Sequence, residues 1–180
     1  GRVQILVAMG VTALVLLLIA RFWLLLDSVV LLSVAFNAEI LLVGLGVGVG
    51  ITGASAIAYR LWPGYRQSAD VYLKLVLEPL AWGDLVWMGL LPGLSEELLF
   101  RGVMLPAIGL NIYGVIFSSL CFGVLHLSGL QQWPYVAWAT LIGLILAMSA
   151  LLSGNLLIPI VAHTTTNLLA SLVWKFKYRA

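Results

Sequence analysis

Three ionisable side chains lie within six positions of an otherwise apolar stretch, LSEELLFRG at residues 94–102: Glu96, Glu97 and Arg101. On a helix, Glu97 and Arg101 are one turn apart, with the acid N-terminal to the base, so they can neutralise each other. Glu96 is rotated by about 100° from Glu97 and cannot share the guanidinium equally well. We therefore expect Glu96 to face another group.

The chain has two histidines, His126 in FGVLHLSG and His163 in VAHTTTNLL, and both lie in apolar stretches. Asn167 follows His163 by four positions, so a helix places the imidazole and the carboxamide on one face. An ionisable side chain at the bilayer centre costs about 2.5–3.5 kcal/mol on insertion scales. Convergence of Glu96, His126, His163 and Asn167 in one interior cavity lowers this cost, and we expect them to meet there.

Simpler explanations exist for each group taken alone. His126, near the end of its stretch, can be a satisfied core or interfacial histidine. His163 and Asn167 can hydrogen-bond neighbouring helices, as polar residues often do in membranes. The Glu97–Arg101 pair favours a structural ion pair over a catalytic one. These explanations do not account for both histidines and the least-paired glutamate occurring together in the C-terminal half.

The elements that must position these groups are membrane helices. The 180 residues are 63% hydrophobic and 9% charged, with a mean hydropathy of +1.13, whereas about a quarter of the residues in soluble domains are charged. Long alternating strands are absent from the sequence, which disfavours a β-barrel. We predict an all-α polytopic bundle of six to eight membrane helices with a buried polar cavity.

Six spans are predicted, the third kinked at Pro92-Gly93 because proline removes a helix donor. They cover residues 3–26, 36–59, 85–110, 112–128, 133–152 and 154–174. Between the second and third spans, WPGYRQSAD is predicted as a loop, residues 71–79 as an interfacial helix, and Tyr59, Trp62 and Tyr65 as part of an interfacial aromatic belt.

Basic residues cluster in the loop after the second span and at the C-terminus, so the positive-inside rule places both clusters and both termini in the cytoplasm, although Arg21 fits poorly.

We divide the chain into N-terminal membrane helices with an interfacial segment (1–84), a helix core (85–174) and a basic tail (175–180). The first residues are interpreted as a truncated start rather than a signal peptide. Cys121 alone forms no disulfide framework, and the net charge of +2 does not indicate nucleic-acid binding.

The motif GVGITG at residues 48–53 matches G-x-G-x-x-G but lies inside a span, where the dinucleotide-binding context of a strand and a helix start is missing. The spacings Gly44/Gly48 and Gly46/Gly50 instead predict close helix packing.

Taken together and in order, Glu96-Glu97-x-x-x-Arg101, Phe122-x-x-x-His126 and His163-x-x-x-Asn167 resemble the EExxxR, FxxxH and HxxxN motifs of the CPBP family. This family comprises CAAX proteases and bacteriocin-processing intramembrane endopeptidases, including type II CAAX prenyl endopeptidases. The resemblance covers roughly residues 85–170. It implies a helical bundle around a water-accessible cavity, although the family's better-described members have eight spans.

The resemblance implies that Glu96 and His126 activate water, that His163 and Asn167 stabilise the oxyanion, and that Glu97, Arg101 and Phe122 support the site. Metal dependence stays open, because Glu96, His126 and His163 could also hold a catalytic zinc ion, although H-E-x-x-H is missing. The implied partners are membrane lipid and a peptide or lipidated protein substrate in a bacterial or plastid-type membrane, and a prenylated CAAX-type C-terminus is one candidate substrate.

Two other functions are compatible with the sequence. In a proton-coupled transporter, intramembrane Glu and His residues form a relay, but the internal repeats typical of such folds are not visible. A proteolytically inactive scaffold or immunity protein of the same fold is disfavoured by the intact motifs.

Overall fold

The computed structural model describes residues 1–178 and is built from eight α-helices and one π-helical segment in this range. The helices are α1 Arg2–Leu26, α2 Ala38–Leu61, α3 Pro63–Leu77, α4 Leu85–Glu97, α5 Leu105–Ile108, α6 Ile112–Leu125, α7 Trp133–Ser153 and α8 Leu157–Lys177. The π-helical segment is Leu98–Met104, between α4 and α5. The prediction of an all-α bundle is confirmed. Of the predicted basic tail, Lys175–Lys177 belong to α8, and Arg179 and Ala180 lie outside the described residues.

Four helices are long and apolar enough to cross a bilayer: α1, α2, α8, and α7 with the turn that precedes it. The chain is thus an integral membrane protein. A fifth span requires counting α3 together with Trp82–Ile108, although these two segments are bent by 109°. The predicted span at 112–128 contains only the 14 residues of α6, about 21 Å at 1.5 Å per residue, which is less than the ~30 Å hydrocarbon layer. The expectation of six full-length spans is therefore too high for the described residues.

The predicted loop after the second span is wrong, because α3 begins directly after Trp62. Pro63 occupies the first turn of α3, where its missing N–H costs nothing and its fixed φ favours the helix. The Pro-Gly pair that suggested a loop is in fact a helix start.

Close packing between α2 and α8 depends on glycine. A Cβ on Gly44 would lie 2.8 Å from the Val161 Cβ, and one on Gly48 would lie 2.6 Å from the Ala162 carbonyl oxygen. The prediction for this pair is confirmed. It is wrong for Gly46 and Gly50, where a Cβ would meet no atom within 4 Å, because those two face away from α8.

The α4–α8 contact is equally close and brings the acidic motif beside His163. A Cβ on Gly89 would lie 3.1 Å from the Thr164 carbonyl oxygen, and one on Gly93 would lie 3.1 Å from the Thr164 nitrogen and overlap the Thr164 hydroxyl. The start of α8 is also held by the connection between α1 and α2. There the Leu156 N–H donates to the Ser33 carbonyl oxygen at 2.9 Å, and the Asn155 side chain donates to the Ala35 carbonyl oxygen at 3.1 Å.

Candidate active site

The acidic motif lies where regular α-helix gives way to a π-helical segment. Pro92 is inside α4, Glu96 and Glu97 are its last two residues, and Arg101 lies in the π-helical segment that follows. Proline cannot donate to the preceding turn, and π-helical turns occur frequently at functional sites. The kink predicted at Pro92 thus falls just before the residues that carry the charges.

Glu97 is the centre of a fully buried polar cluster. Its Oε1 accepts a hydrogen bond from Arg101 Nη1 at 2.9 Å and lies 2.8 Å from His163 Nδ1. Arg101 also donates from Nη2 to the Gly143 carbonyl oxygen of α7 at 2.9 Å, and its guanidinium lies 4.4 Å from the centroid of the Phe122 ring. The predicted Glu97–Arg101 pair is confirmed, whereas the contact with His163 was not expected from the sequence.

This contact determines which nitrogen of His163 carries a proton. A carboxylate oxygen can only accept a hydrogen bond, so His163 Nδ1 donates to Glu97. The other nitrogen, Nε2, remains available on a side chain that lines the cavity. It donates a hydrogen bond there only when both ring nitrogens carry a proton.

Glu96 and His126 face each other across a gap. Glu96 is only 7% exposed, its Oε2 has no hydrogen-bond partner among the described residues, and His126 Nε2 lies 3.9 Å from it. His126 Nδ1 lies 2.9 Å from the Phe122 carbonyl oxygen, which can only accept, so Nδ1 carries the proton. In the neutral ring Nε2 is then an acceptor. Two acceptors at this separation need a proton-bearing molecule between them, and a water molecule fits that role.

A cavity of about 110 Å³ contains all four predicted polar groups in its wall: Glu96, His126, His163 and Asn167. They come from α4, the C-terminal end of α6, and α8, so the predicted convergence is confirmed. Phe122 also lines the cavity, and its ring packs against both histidines, with centroid distances of 4.9 Å to His126 and 5.5 Å to His163.

Aromatic side chains that the sequence analysis did not assign to the site form the opposite wall. Tyr72 and Tyr135 are stacked with a centroid distance of 4.7 Å, and each lies within 6.4 Å of the His126 ring. Tyr65, predicted at the membrane interface, is buried and lines the same cavity. The sequence holds one weak signal for this wall: Tyr65 and Tyr72 are seven residues apart, so a helix places them on one face. It holds no such signal for Tyr135.

No group of three His, Cys, Asp or Glu side chains in residues 1–178 is arranged to hold a metal ion. Of the three ligands suggested for zinc, His163 has its Nδ1 bound to Glu97, so Nε2 is the nitrogen that it presents to the cavity shared with Glu96 and His126.

Residues 78–169 match the family described as type II CAAX prenyl endopeptidase Rce1-like. The match covers just over half of the chain and includes every predicted site residue from Glu96 to Asn167. The chain belongs to this family.

The uncharacterized protein YpbD of Bacillus subtilis (strain 168) is 27% identical to the chain over 127 residues, which are 71% of this chain. The chain spans 65% of the length of that curated relative, slightly less than two thirds. No solved structure matches the chain significantly.

Proposed function

We propose that the protein is an intramembrane endopeptidase in which Glu96 and His126 activate a water molecule to hydrolyse a peptide bond. The observation that carries this proposal is the pair of inward-facing acceptors, Glu96 Oε2 and His126 Nε2, separated by 3.9 Å in the wall of one cavity. A water that donates both of its hydrogens to these acceptors directs its lone pairs away from them. That is the orientation in which water attacks a carbonyl carbon.

In the first step Glu96 takes a proton from this water, and the water oxygen forms a bond to the scissile carbonyl carbon. The carbonyl oxygen becomes an oxyanion, stabilised by the Asn167 amide and by His163 Nε2 in the imidazolium form. In the second step the C–N bond breaks, the protonated Glu96 gives its proton to the leaving nitrogen, and a carboxylic acid and an amine result. A positioned base contributes about 10²–10⁴-fold to such a reaction.

The Glu97–Arg101 cluster would act by holding His163. A carboxylate bonded to Nδ1 fixes the orientation of an imidazole, as in the Ser-His-Asp arrangement. Arg101 compensates the charge of Glu97 where water cannot. Glu97 and Arg101 are positioning residues in this scheme, and Phe122 is a packing surface for both imidazoles.

The substrate class follows from the family and from the location of the site. Membership of the type II CAAX prenyl endopeptidase family supports a membrane-associated protein substrate, with a prenylated CAAX-type C-terminus as the first candidate. The site lies between helices that expose apolar surfaces, so a lipidated or membrane-embedded peptide can reach it without leaving the bilayer.

The test uses purified protein in detergent or nanodiscs with fluorogenic prenylated peptides and unmodified transmembrane peptides. We expect Glu96→Gln and His126→Ala to lower kcat by about 10²-fold or more, the lower end of the contribution of a positioned base. Glu39→Gln is the matched control, because Glu39 is an exposed carboxylate in the first turn of α2. Wild-type turnover by Glu96→Gln would refute the mechanism. Glu96-dependent transport of a solute into vesicles without peptide cleavage would favour the transporter.

A further inference from the structure

Glu96 borders a second cavity, on the side away from the histidines. This crevice has a volume of about 180 Å³ and lies between α1, α3 and α4. Its walls are mainly aliphatic and methionine side chains, including Ile5, Met9, Val76 and Met88, and Thr12 adds a side chain with a hydroxyl. Thr12 and its neighbour Ala8 are also exposed on the outside of the bundle, so the crevice opens towards the lipid-facing side of α1.

Four side chains line both the crevice and the catalytic cavity, and they form the partition between them: Tyr72, Met88, Pro92 and Glu96. Pro92 belongs to the closely packed α4. Tyr72, by contrast, lies on α3 and meets its neighbours through ring stacking. Tyr72 and Met88 are thus the members of the partition whose side chains can turn to join the two spaces. Glu96, whose Oε2 has no hydrogen-bond partner among the described residues, is at their junction.

The size of the catalytic cavity makes this junction significant. At about 110 Å³ it holds a few water molecules, whereas ligand sites in proteins typically measure ~300–1,000 Å³. An endopeptidase must also accept chain on both sides of the scissile bond. When the scissile bond lies beside Glu96 and the substrate chain on one side of it occupies the catalytic cavity, the chain on the other side meets the partition. The crevice is the space behind that partition.

We propose that this crevice is the subsite for substrate residues on one side of the scissile bond, with Tyr72 as the side chain that turns to admit them. The proposal rests on the proposed endopeptidase function. The occupant is an apolar peptide segment, because the walls offer aliphatic carbon and sulfur, and the hydroxyl of Ser95 is already bonded to the Leu91 carbonyl oxygen. Methionine side chains at such a site adapt to different apolar partners.

The test compares two neighbouring substitutions on α1. Thr12→Trp places an indole in the crevice, whereas Val11→Trp adds the same bulk at an exposed position of similar size that does not line the crevice. For a long peptide we expect Thr12→Trp to lower kcat/KM at least tenfold, mainly through KM, and Val11→Trp to behave like wild type. With a peptide shortened on one side of the scissile bond, Thr12→Trp should regain wild-type kcat/KM, and the side that restores it identifies the flank that occupies the crevice.

Equal activity of the two variants, or a loss in Thr12→Trp that persists with peptides shortened on either side, would overturn the subsite. Failure of the proposed function is distinguishable, because wild type and Val11→Trp would then cleave nothing.

A labelling experiment keeps the proposal testable if the Thr12→Trp protein does not fold. It uses Thr12→Cys and Val11→Cys in a Cys121→Ala, Glu96→Gln background, so that the substrate stays intact and no other thiol reacts. Saturating long peptide should slow maleimide labelling at position 12 at least threefold and leave position 11 unchanged. Labelling of position 12 at the same rate with and without peptide would contradict the proposal.

Discussion

At the scale of single residues, one carboxylate oxygen binds two of the buried side chains. Glu97 Oε1 serves both Arg101 Nη1 and His163 Nδ1, and all three side chains are at most 4% exposed. In a medium of low dielectric constant, each charge depends on the others for compensation. The cluster therefore links the helix that carries the acids to the helix that carries His163 and Asn167, and a change in one member affects both stability and chemistry.

We predict that Arg101→Ala lowers both stability and turnover. The substitution leaves the fully buried Glu97 without its compensating charge, and breaking a buried pair in this way costs about 3–5 kcal/mol. Thermal unfolding in detergent and steady-state kinetics measure the two effects. Arg66→Ala is the control, because Arg66 is exposed on α3 and its removal leaves no buried carboxylate without a partner. An unchanged melting temperature for Arg101→Ala would contradict the structural role of the cluster.

At the scale of elements, the composition of each segment was sufficient to predict most helices. Long apolar stretches predicted α1, α2, α7 and α8 to within a few residues at most ends, since a helix satisfies every backbone hydrogen bond within one segment in lipid. The second half of α3 overlaps the helix predicted at residues 71–79. Its first half was missed because Pro63-Gly64 is a common turn signal. The length of α6 was overestimated because Leu127 and Ser128 continue the apolar stretch beyond its C-cap at His126.

The contact between α4 and α8 leaves no space for an added side chain at Gly93. We predict that Gly93→Ala destabilises the protein by about 1–3 kcal/mol, as overpacking commonly does, and lowers turnover as well. The added Cβ would overlap the Thr164 hydroxyl and lie 3.1 Å from the Thr164 backbone nitrogen, so α8 must move away from Glu96 and Glu97.

The control for this substitution is Gly50→Ala, where a Cβ meets nothing within 4 Å. Because alanine favours helix over glycine by about 1 kcal/mol, Gly50→Ala should leave the melting temperature unchanged or raise it. Combining Gly93→Ala with Thr164→Ala should recover part of the lost stability, since it removes the overlapping hydroxyl. A Gly93→Ala protein as stable and active as wild type would show that the contact between α4 and α8 is looser than described.

At the scale of the whole molecule, residues far apart in sequence meet in the cavity, and this explains which parts of the site could be predicted. Glu96, His126, His163 and Asn167 were recognisable because polar groups are rare and costly in apolar helices. The hydrogen bond from His163 to Glu97 connects residues 66 positions apart and depends on the Gly89 and Gly93 contacts that set the spacing of α4 and α8. Tyr72 and Tyr135 carry no charge and stand in segments where tyrosine is ordinary, so their place beside His126 required the assembled bundle.

The α1–α2 connection anchors the start of α8 far from the chemistry. Asn155 is buried, donates to the Ala35 carbonyl oxygen at 3.1 Å, and accepts from the Leu157 N–H at 2.9 Å. Asn155→Ala removes both bonds, and each is worth about 0.5–1.5 kcal/mol, because the Ala35 carbonyl oxygen and the Leu157 N–H are exposed or only partly buried. Since position 155 does not line the catalytic cavity, kcat per folded molecule should stay within twofold of wild type while the melting temperature falls. The measurement pairs thermal unfolding with active-enzyme titration. A tenfold drop in kcat at an unchanged melting temperature would mean that this anchor positions His163 for catalysis rather than simply stabilising the bundle.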